Sequence, residues 1–192
     1  MEAPDGLAAA VRLITRYAGL LQQSSGLWHH SPEAPTAWGR GNGFAARGLA
    51  ETLTALPADH GDFTAVLDIY RRHMDGMRSH QAPDGMWRQV VDLPGSYRET
   101  SVTALTVTAM ARGVRLGWLD ESYRPVIERA WRGILAHVVD DGTLVDVCIS
   151  TGAGPTLRHY LDRTAVNGAD DRGGALVLGA ALEMHALAAG NG

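Results

Sequence analysis

Apolar residues recur at helical spacing in three separate segments of the chain, residues 7–22, 62–80 and 121–138. The other face of each segment carries basic and polar residues, which is the pattern of an amphipathic helix with one buried face. Each segment runs into a turn with a glycine followed by an apolar residue, in SSGLWHH, PDGMWRQV and DDGTLVDV. The turn glycines Gly26, Gly85 and Gly142 are 59 and then 57 residues apart, which indicates a repeat.

A second helical segment follows each turn after a loop, at residues 44–56, 100–117 and 173–189. These segments are rich in Ala, Gly and Thr, whose small side chains let helix backbones approach closely. We therefore expect the first set of helices to form an outer layer and the second set an inner layer. No strand signal of alternating β-branched residues competes with this helical pattern. Residues 143–149 are the best candidate and are expected to form at most a short extended piece.

A unit of about 58 residues with one outer and one inner helix is a helical hairpin, whose neighbours must stack to bury their apolar faces. The pattern predicts an all-α protein with three hairpins and six main helices, in a single domain over residues 1–192. Periodicity alone fits a three-unit solenoid or an irregular six-helix bundle equally well. In a stack of hairpins, the loops that lead from outer to inner helices share one end, where we expect a site.

Composition excludes several classes of partner. The 192 residues carry a net charge of −4 without a block of Lys or Arg, so no nucleic-acid partner is expected. No stretch approaches the roughly 18 apolar residues of a membrane span, and acids stand where a secretory signal needs cations. The chain is therefore predicted to be cytoplasmic, without a membrane partner. The single cysteine, Cys148, cannot form an internal disulfide and is expected to be a small buried side chain.

The stretch WGRGNGF, residues 38–44, precedes the first inner helix. We expect Gly39, Gly41 and Gly43 to form a loop, because glycine allows positive φ angles and close backbone approach, with the side chains between them pointing outward. Trp38 then offers a flat face for a sugar ring, and Arg40 offers a fork of donors for a carboxylate. The alternative is a capped loop in which Trp38 packs beneath the turn.

Other polar residues are given structural roles. His29 and His30 are adjacent but have no metal-ligand spacing around them, so neither a metal nor another cofactor is predicted. His73 lies on an outer helix and is expected at the surface. Glu99, in YRETS, is expected to cap the second inner helix. Asp170 and Asp171 precede the last inner helix and are expected to act as its N-terminal charges.

From about Gly26 to the end, the chain resembles a known family of enzymes. The stretches GLWHH, WGRGNGF, DGMWRQVVDLPGSYRETSVTAL, ARGVRLGWLD, VCISTGAGP and RHYLDR are similar to the C-terminal half of the unsaturated rhamnogalacturonyl hydrolases, glycoside hydrolase family 105. They also resemble the related unsaturated glucuronyl hydrolases of family 88. The resemblance implies an (α/α)6 barrel, six hairpins closed into a ring. This chain is expected to form half of that barrel, the N-terminal half being absent from it.

The resemblance also implies a reaction and a set of binding residues. The family removes a 4,5-unsaturated uronic acid from the non-reducing end of an oligosaccharide by protonating and hydrating its vinyl ether double bond. This chemistry differs from ordinary glycoside hydrolysis between two carboxylates. The substrate-binding positions implied for this sequence are His30, Trp38, Arg40, Phe44 in place of a tryptophan, Thr151 and Gly152.

The family's proton-donating aspartate matches no residue of this sequence, because it lies farther upstream of His30 than the sequence extends. The catalytic residue is therefore left unknown, and two hypotheses remain open. The first is a hydrolase of the unsaturated-uronide type that is incomplete in this chain, with self-association or a partner chain completing the barrel. The second is a non-catalytic half-barrel that binds acidic saccharides, or a truncated relic.

Overall fold

The computed structural model describes residues 4–168 and 171–190. Within these ranges the chain forms seven α-helices: α1 (Pro4–Leu21), α2 (Gly39–Ala55), α3 (Phe63–Ser79), α4 (Thr100–Arg115), α5 (Arg124–Leu135), α6 (Leu157–Leu161) and α7 (Asp171–Ala189). A 3-10 turn, Glu121–Tyr123, leads into α5. Two short strands, β1 (Leu144–Cys148) and β2 (Ala165–Gly168), pair antiparallel with an irregularity in register.

The six main helices form two layers, as the sequence predicts. The helices α1, α3 and α5 are amphipathic, and each buries one face. On α3 the buried residues include Val66, Tyr70 and Met77. The helices α2, α4 and α7 lie side by side, with α4 between the other two. Nearly every residue of α4 from Thr100 to Val114 is buried, which explains why this helix is built from small side chains. The all-α class is confirmed, and β1 is the short extended piece expected at 143–149, whereas its partner β2 was not expected.

Two of the repeated turns pack against the outer helix of the next hairpin. Gly26 and Gly85 have φ angles of +83° and +91°, in the left-handed region that favours glycine. A side chain at Gly26 would collide with the carbonyl oxygen of Arg72, and one at Gly85 with that of Arg129. Each turn therefore packs directly against the backbone of the following outer helix. Gly142 adopts the same φ of +84° but has open space beside it.

The prediction that residues 38–44 form a loop is wrong, because α2 begins at Gly39. None of Gly39, Gly41 and Gly43 has a positive φ. The close approach expected at these glycines is present, at Gly39 and Gly43. A Cβ at Gly39 would collide with the carbonyl oxygen of Arg88, and one at Gly43 would lie 2.8 Å from the side chain of Leu105.

Asn42 and His73 form a buried polar link between the first two hairpins. The Asn42 side chain accepts from the Trp28 amide at 2.8 Å and donates to the Trp28 and Trp38 carbonyls at 2.9 and 3.0 Å. His73 is fully buried, with Nδ1 3.0 Å from the Gly26 carbonyl oxygen and Nε2 2.9 Å from that of Asn42. The surface position predicted for His73 is therefore wrong, and so is the outward direction predicted for Asn42.

Candidate ligand-binding site

A cavity of about 370 Å³ lies at the end of the stack where chain segments enter the inner helices. Residues from the starts of α2 and α7, and from the loop after β1, line it: Trp38, Arg40, Phe44, Ser150, Arg172 and Leu176. Two guanidinium groups and two aromatic rings thus surround one opening. Such a lining suits a ligand that combines a negative charge with an apolar or ring-shaped face.

Arg40 reaches the cavity from a buried position, with 3% of the residue exposed. Its Nε donates to the Ser101 hydroxyl at 2.7 Å, and its Nη2 donates to the Cys148 carbonyl oxygen. These bonds leave Nη1 without a hydrogen-bond partner among the described residues, although Arg40 lines the cavity. The prediction that the Arg40 side chain points outward from a loop is therefore wrong. The guanidinium is instead fixed within the cavity wall, where its orientation is set before any ligand arrives.

Glu99 holds the same wall from the side of α4. Its carboxylate accepts from the backbone amides of Ser101 at 2.9 Å and Val102 at 2.8 Å, so its predicted role as a helix cap is confirmed. It also accepts from the Cys148 amide at 2.9 Å. One carboxylate oxygen lies 3.9 Å from Arg40 Nη2, close enough to balance the buried cation. Cys148 is buried as predicted, between Arg40 and Glu99.

His30 lies on a second cavity, of about 300 Å³, which shares Trp38 and Phe44 with the first. The His30 ring centroid is 4.6 Å from that of Trp38, and Nδ1 is 2.8 Å from the Tyr160 hydroxyl oxygen. Burial lowers the pKa of His30 below its ordinary value of 6.5, and the nearby charge of His159 lowers it further. His30 is therefore neutral near pH 7. Trp38 is almost buried, whereas 53% of Phe44 is exposed.

Thr151 and Gly152 lie on the loop after Ser150 and line neither cavity. The Thr151 hydroxyl is 2.7 Å from His159 Nε2, and the Gly152 carbonyl oxygen is 3.0 Å from the same nitrogen. His159 in turn packs edge-on against the Tyr160 ring, 5.2 Å between centroids. The structure thus brings His30, Trp38, Arg40 and Phe44 to one place. Thr151 and Gly152 contact His159, which packs against Tyr160, and Tyr160 in turn bonds to His30.

Arg172 and Leu176 were missed by sequence reasoning. Arg172 donates to the Ile149 carbonyl oxygen at 3.3 Å from the first turn of α7. Its position at the start of an inner helix matches that of Arg40, and this equivalence in the repeat was the signal that could have found it. The N-terminal charges expected of Asp170 and of the Asp171 side chain lie outside the described residues.

The described part of the chain holds neither a cluster of metal-binding side chains nor a helix that could span a membrane. Over residues 4–168 and 171–190, no three side chains among His, Cys, Asp and Glu come together in a way that could hold a metal ion. Among the helices of the same ranges, none combines the length and apolar character needed to cross a bilayer.

The fold and the cavity define the class of protein as an array of helical hairpins with a cationic, aromatic-lined site at one end. Residues 15–188 match the profile of Glycosyl Hydrolase Family 88, and the chain belongs to this family. It is 32% identical over 111 residues to the unsaturated 3S-rhamnoglycuronyl hydrolase of Alteromonas sp. (strain LOR), covering 56% of this chain and 27% of that protein. It is 30% identical over 155 residues to protein Atu3128 of Agrobacterium fabrum, covering 71% and 66% respectively.

Structural similarity shows the fold. A possible member of glycoside hydrolase family 105 from Salmonella enterica serovar Paratyphi A superposes with a TM-score of 0.88 at 24% identity. The match covers 95% of this chain and 50% of that one. The curated relatives are likewise covered over only about a quarter to two thirds of their length. The resemblance to families 105 and 88, and the fold of the (α/α)6 barrel enzymes, are thereby confirmed.

Proposed function

We propose that the protein binds oligosaccharides that end in a 4,5-unsaturated uronic acid, and forms one wall of a site that releases this sugar by hydrating its vinyl ether double bond. The observation that carries the proposal is the cavity in which Arg40 and Arg172 lie beside Trp38 and Phe44. A uronic acid has a carboxylate for the cations and a ring for the aromatic faces. Membership of a glycosidase family supports the hydrolytic chemistry.

Each residue that the family resemblance implies for substrate binding has a role in this proposal. Arg40 offers its Nη1 to the carboxylate, since its other bonds fix the guanidinium plane. Trp38 packs against the sugar, and Phe44 extends the apolar wall without the N–H that an indole would add. His30 contacts a sugar oxygen or the attacking water. Thr151 and Gly152 close the side of the site next to His159.

The proton donor for the vinyl ether is the group that this wall does not supply. Glu99 is the carboxyl group nearest to Arg40, but its oxygens already accept from the amides of Ser101, Val102 and Cys148 and it is fully buried. These bonds hold the carboxylate inside the wall, and Glu99 is not among the residues that line the cavity. We propose that the donor belongs to further hairpins that pack on this wall, in the same or in another polypeptide.

Binding of an unsaturated disaccharide, measured by calorimetry, tests the proposal. Arg40→Lys keeps a cation beside Glu99 but loses the planar group whose Nε and Nη2 bonds orient Nη1, so we expect about 10-fold or greater weakening. Arg47→Lys is the matched control, because Arg47 lies on the same helix but makes an exposed ion pair with Glu51. Equal affinity of both variants for the disaccharide would reject the carboxylate role of Arg40.

Turnover is followed through the absorbance of the conjugated double bond. We expect this chain alone to consume the substrate negligibly, because general acid catalysis supplies a factor of about 10² to 10⁴. Efficient turnover by this chain alone would place the acid within it. Binding that persists without turnover, even after further hairpins of the family fold are added, would instead favour the non-catalytic saccharide-binding role.

A further inference from the structure

The Tyr160 hydroxyl is a buried group that the proposed function does not use. Tyr160 lies on α6 and is fully buried. Its hydroxyl oxygen is 3.2 Å from the Gly154 amide nitrogen and 2.8 Å from His30 Nδ1. These two groups are its hydrogen-bond partners within the described part of the chain.

The available protons determine which group donates in each of the two hydrogen bonds of Tyr160. The Gly154 N–H can only donate, so the phenol oxygen accepts that bond. The phenol has one proton of its own, and an unpaired buried donor costs about 1–3 kcal/mol. The proton therefore points to His30 Nδ1, which must accept it with its lone pair. A neutral imidazole with an accepting Nδ1 carries its single proton on Nε2.

The opposite nitrogen of His30 is available to a ligand. His30 lines the 300 Å³ cavity with Trp38 and Phe44, and its Nε2 is neither buried nor bonded to any described residue. The ring is half-buried, with Trp38 on one side and Tyr160 at its edge, 5.7 Å between centroids. The imidazole is thus held by three contacts with one nitrogen left open.

We infer that Tyr160 is a positioning residue that holds His30 as the Nε2–H tautomer, so that the site presents a hydrogen-bond donor to a ligand oxygen. The identity of that ligand as an uronide rests on the proposed function, whereas the tautomer does not. The lowered pKa of His30 agrees with a neutral ring. His159, the titratable group packed against Tyr160 on α6, adds to this effect when it is charged.

Nitrogen NMR of the ligand-free, full chain tests the tautomer directly. Long-range proton–nitrogen correlations distinguish Nδ1–H from Nε2–H, and we expect Nε2–H for His30 in the wild type. Tyr160→Phe removes the phenol proton, so the His30 pattern should shift toward a mixture of tautomers. Tyr123→Phe is the control, because it removes a hydroxyl bond to Asp75 elsewhere and should leave His30 unchanged. An Nδ1–H pattern in the wild type, or an unaltered pattern in Tyr160→Phe, overturns the inference.

Binding of the unsaturated disaccharide tests the donor role of His30. Glutamine carries its amide nitrogen near the position of Nε2, whereas asparagine carries it near Nδ1. We expect His30→Gln to bind within about threefold of the wild type and His30→Asn about tenfold more weakly. Equal losses in the two variants overturn the donor role. An Nε2–H tautomer in a wild type that binds no disaccharide rejects the proposed function and leaves the role of Tyr160 standing.

Discussion

His73 is a titratable residue that packing has placed where its charged form is disfavoured. Burial lowers its pKa from 6.5, and the carbonyl groups of Asn42 and Gly26 oppose this only in part. The ring is therefore neutral in the folded protein and donates one proton to one of its two carbonyl neighbours. The unfolded chain has no such restriction and takes up a proton as the pH falls below 6.5.

The free energy of unfolding should consequently decrease as the pH is lowered through 6.5 toward the pKa of the folded protein. The loss amounts to about 1.4 kcal/mol for each unit by which the folded pKa is depressed. His30 contributes with the same sign, because its pKa is also lowered. Urea unfolding at several pH values measures the effect. His73→Gln should reduce the dependence, and a slope equal to that of the wild type would contradict the assignment.

At the residue scale, the role of a side chain was easier to predict than the direction in which it points. Glu99 was correctly expected to cap a helix, because a capping carboxylate acts on amides next to it in sequence. Arg40 was expected to point outward, yet it bonds to Ser101 and Cys148, which are 61 and 108 residues away. His73 was misjudged because its helix carries arginines on its exposed face. No local pattern reports partners at such separations.

At the level of elements, the turn glycines provide an internal comparison. Gly85 and Gly142 share nearly the same left-handed φ, but only Gly85 packs against the next helix. Gly142→Ala should cost roughly 1–2 kcal/mol for the backbone conformation alone. Gly85→Ala should cost about 1–3 kcal/mol more, because the added Cβ meets the Arg129 carbonyl. Chemical denaturation measures the loss in free energy of unfolding for each variant. Equal losses would show that the contact between the Gly85 turn and α5 tolerates a side chain.

The elements themselves were largely predictable. All six long helices were expected from apolar periodicity and small-residue content, and all six are present among the described residues. The start of α2 was misplaced because alternate glycines suggest a flexible loop, whereas here they allow close contact with Arg88 and Leu105. The helix α6 is only five residues long, too short to show a period in sequence.

Considered as a whole, the molecule leaves apolar side chains exposed on its first and last helices. Leu13, Tyr17 and Leu20 on α1 are 54, 50 and 51% exposed, and Leu178 and Leu182 on α7 are 62 and 64% exposed. Each set lies at one end of the hairpin array, where a neighbouring hairpin would pack. Apolar periodicity could not distinguish an open stack from a ring, and this choice came from the family resemblance.

We expect the chain to self-associate through these faces, because monomers rarely expose large contiguous apolar patches. Light scattering at increasing concentration should give a mass above that of one chain. Leu178→Glu together with Leu182→Glu should lower it, whereas Leu157→Glu on α6, also exposed, should not. A wild type that remains monomeric at high concentration would count against the expectation.

The contacts that build the cavity also determine when it can form. His30 meets Tyr160 across 130 residues, and Arg40 meets Cys148 across 108. Contacts of such separation form late in folding, because closing the intervening chain costs entropy that local helices do not incur. A growing chain could therefore complete its first four helices while the cavity still lacked β1, α6 and the start of α7. The ability to bind a ligand would therefore appear only after α7 has begun to be synthesised.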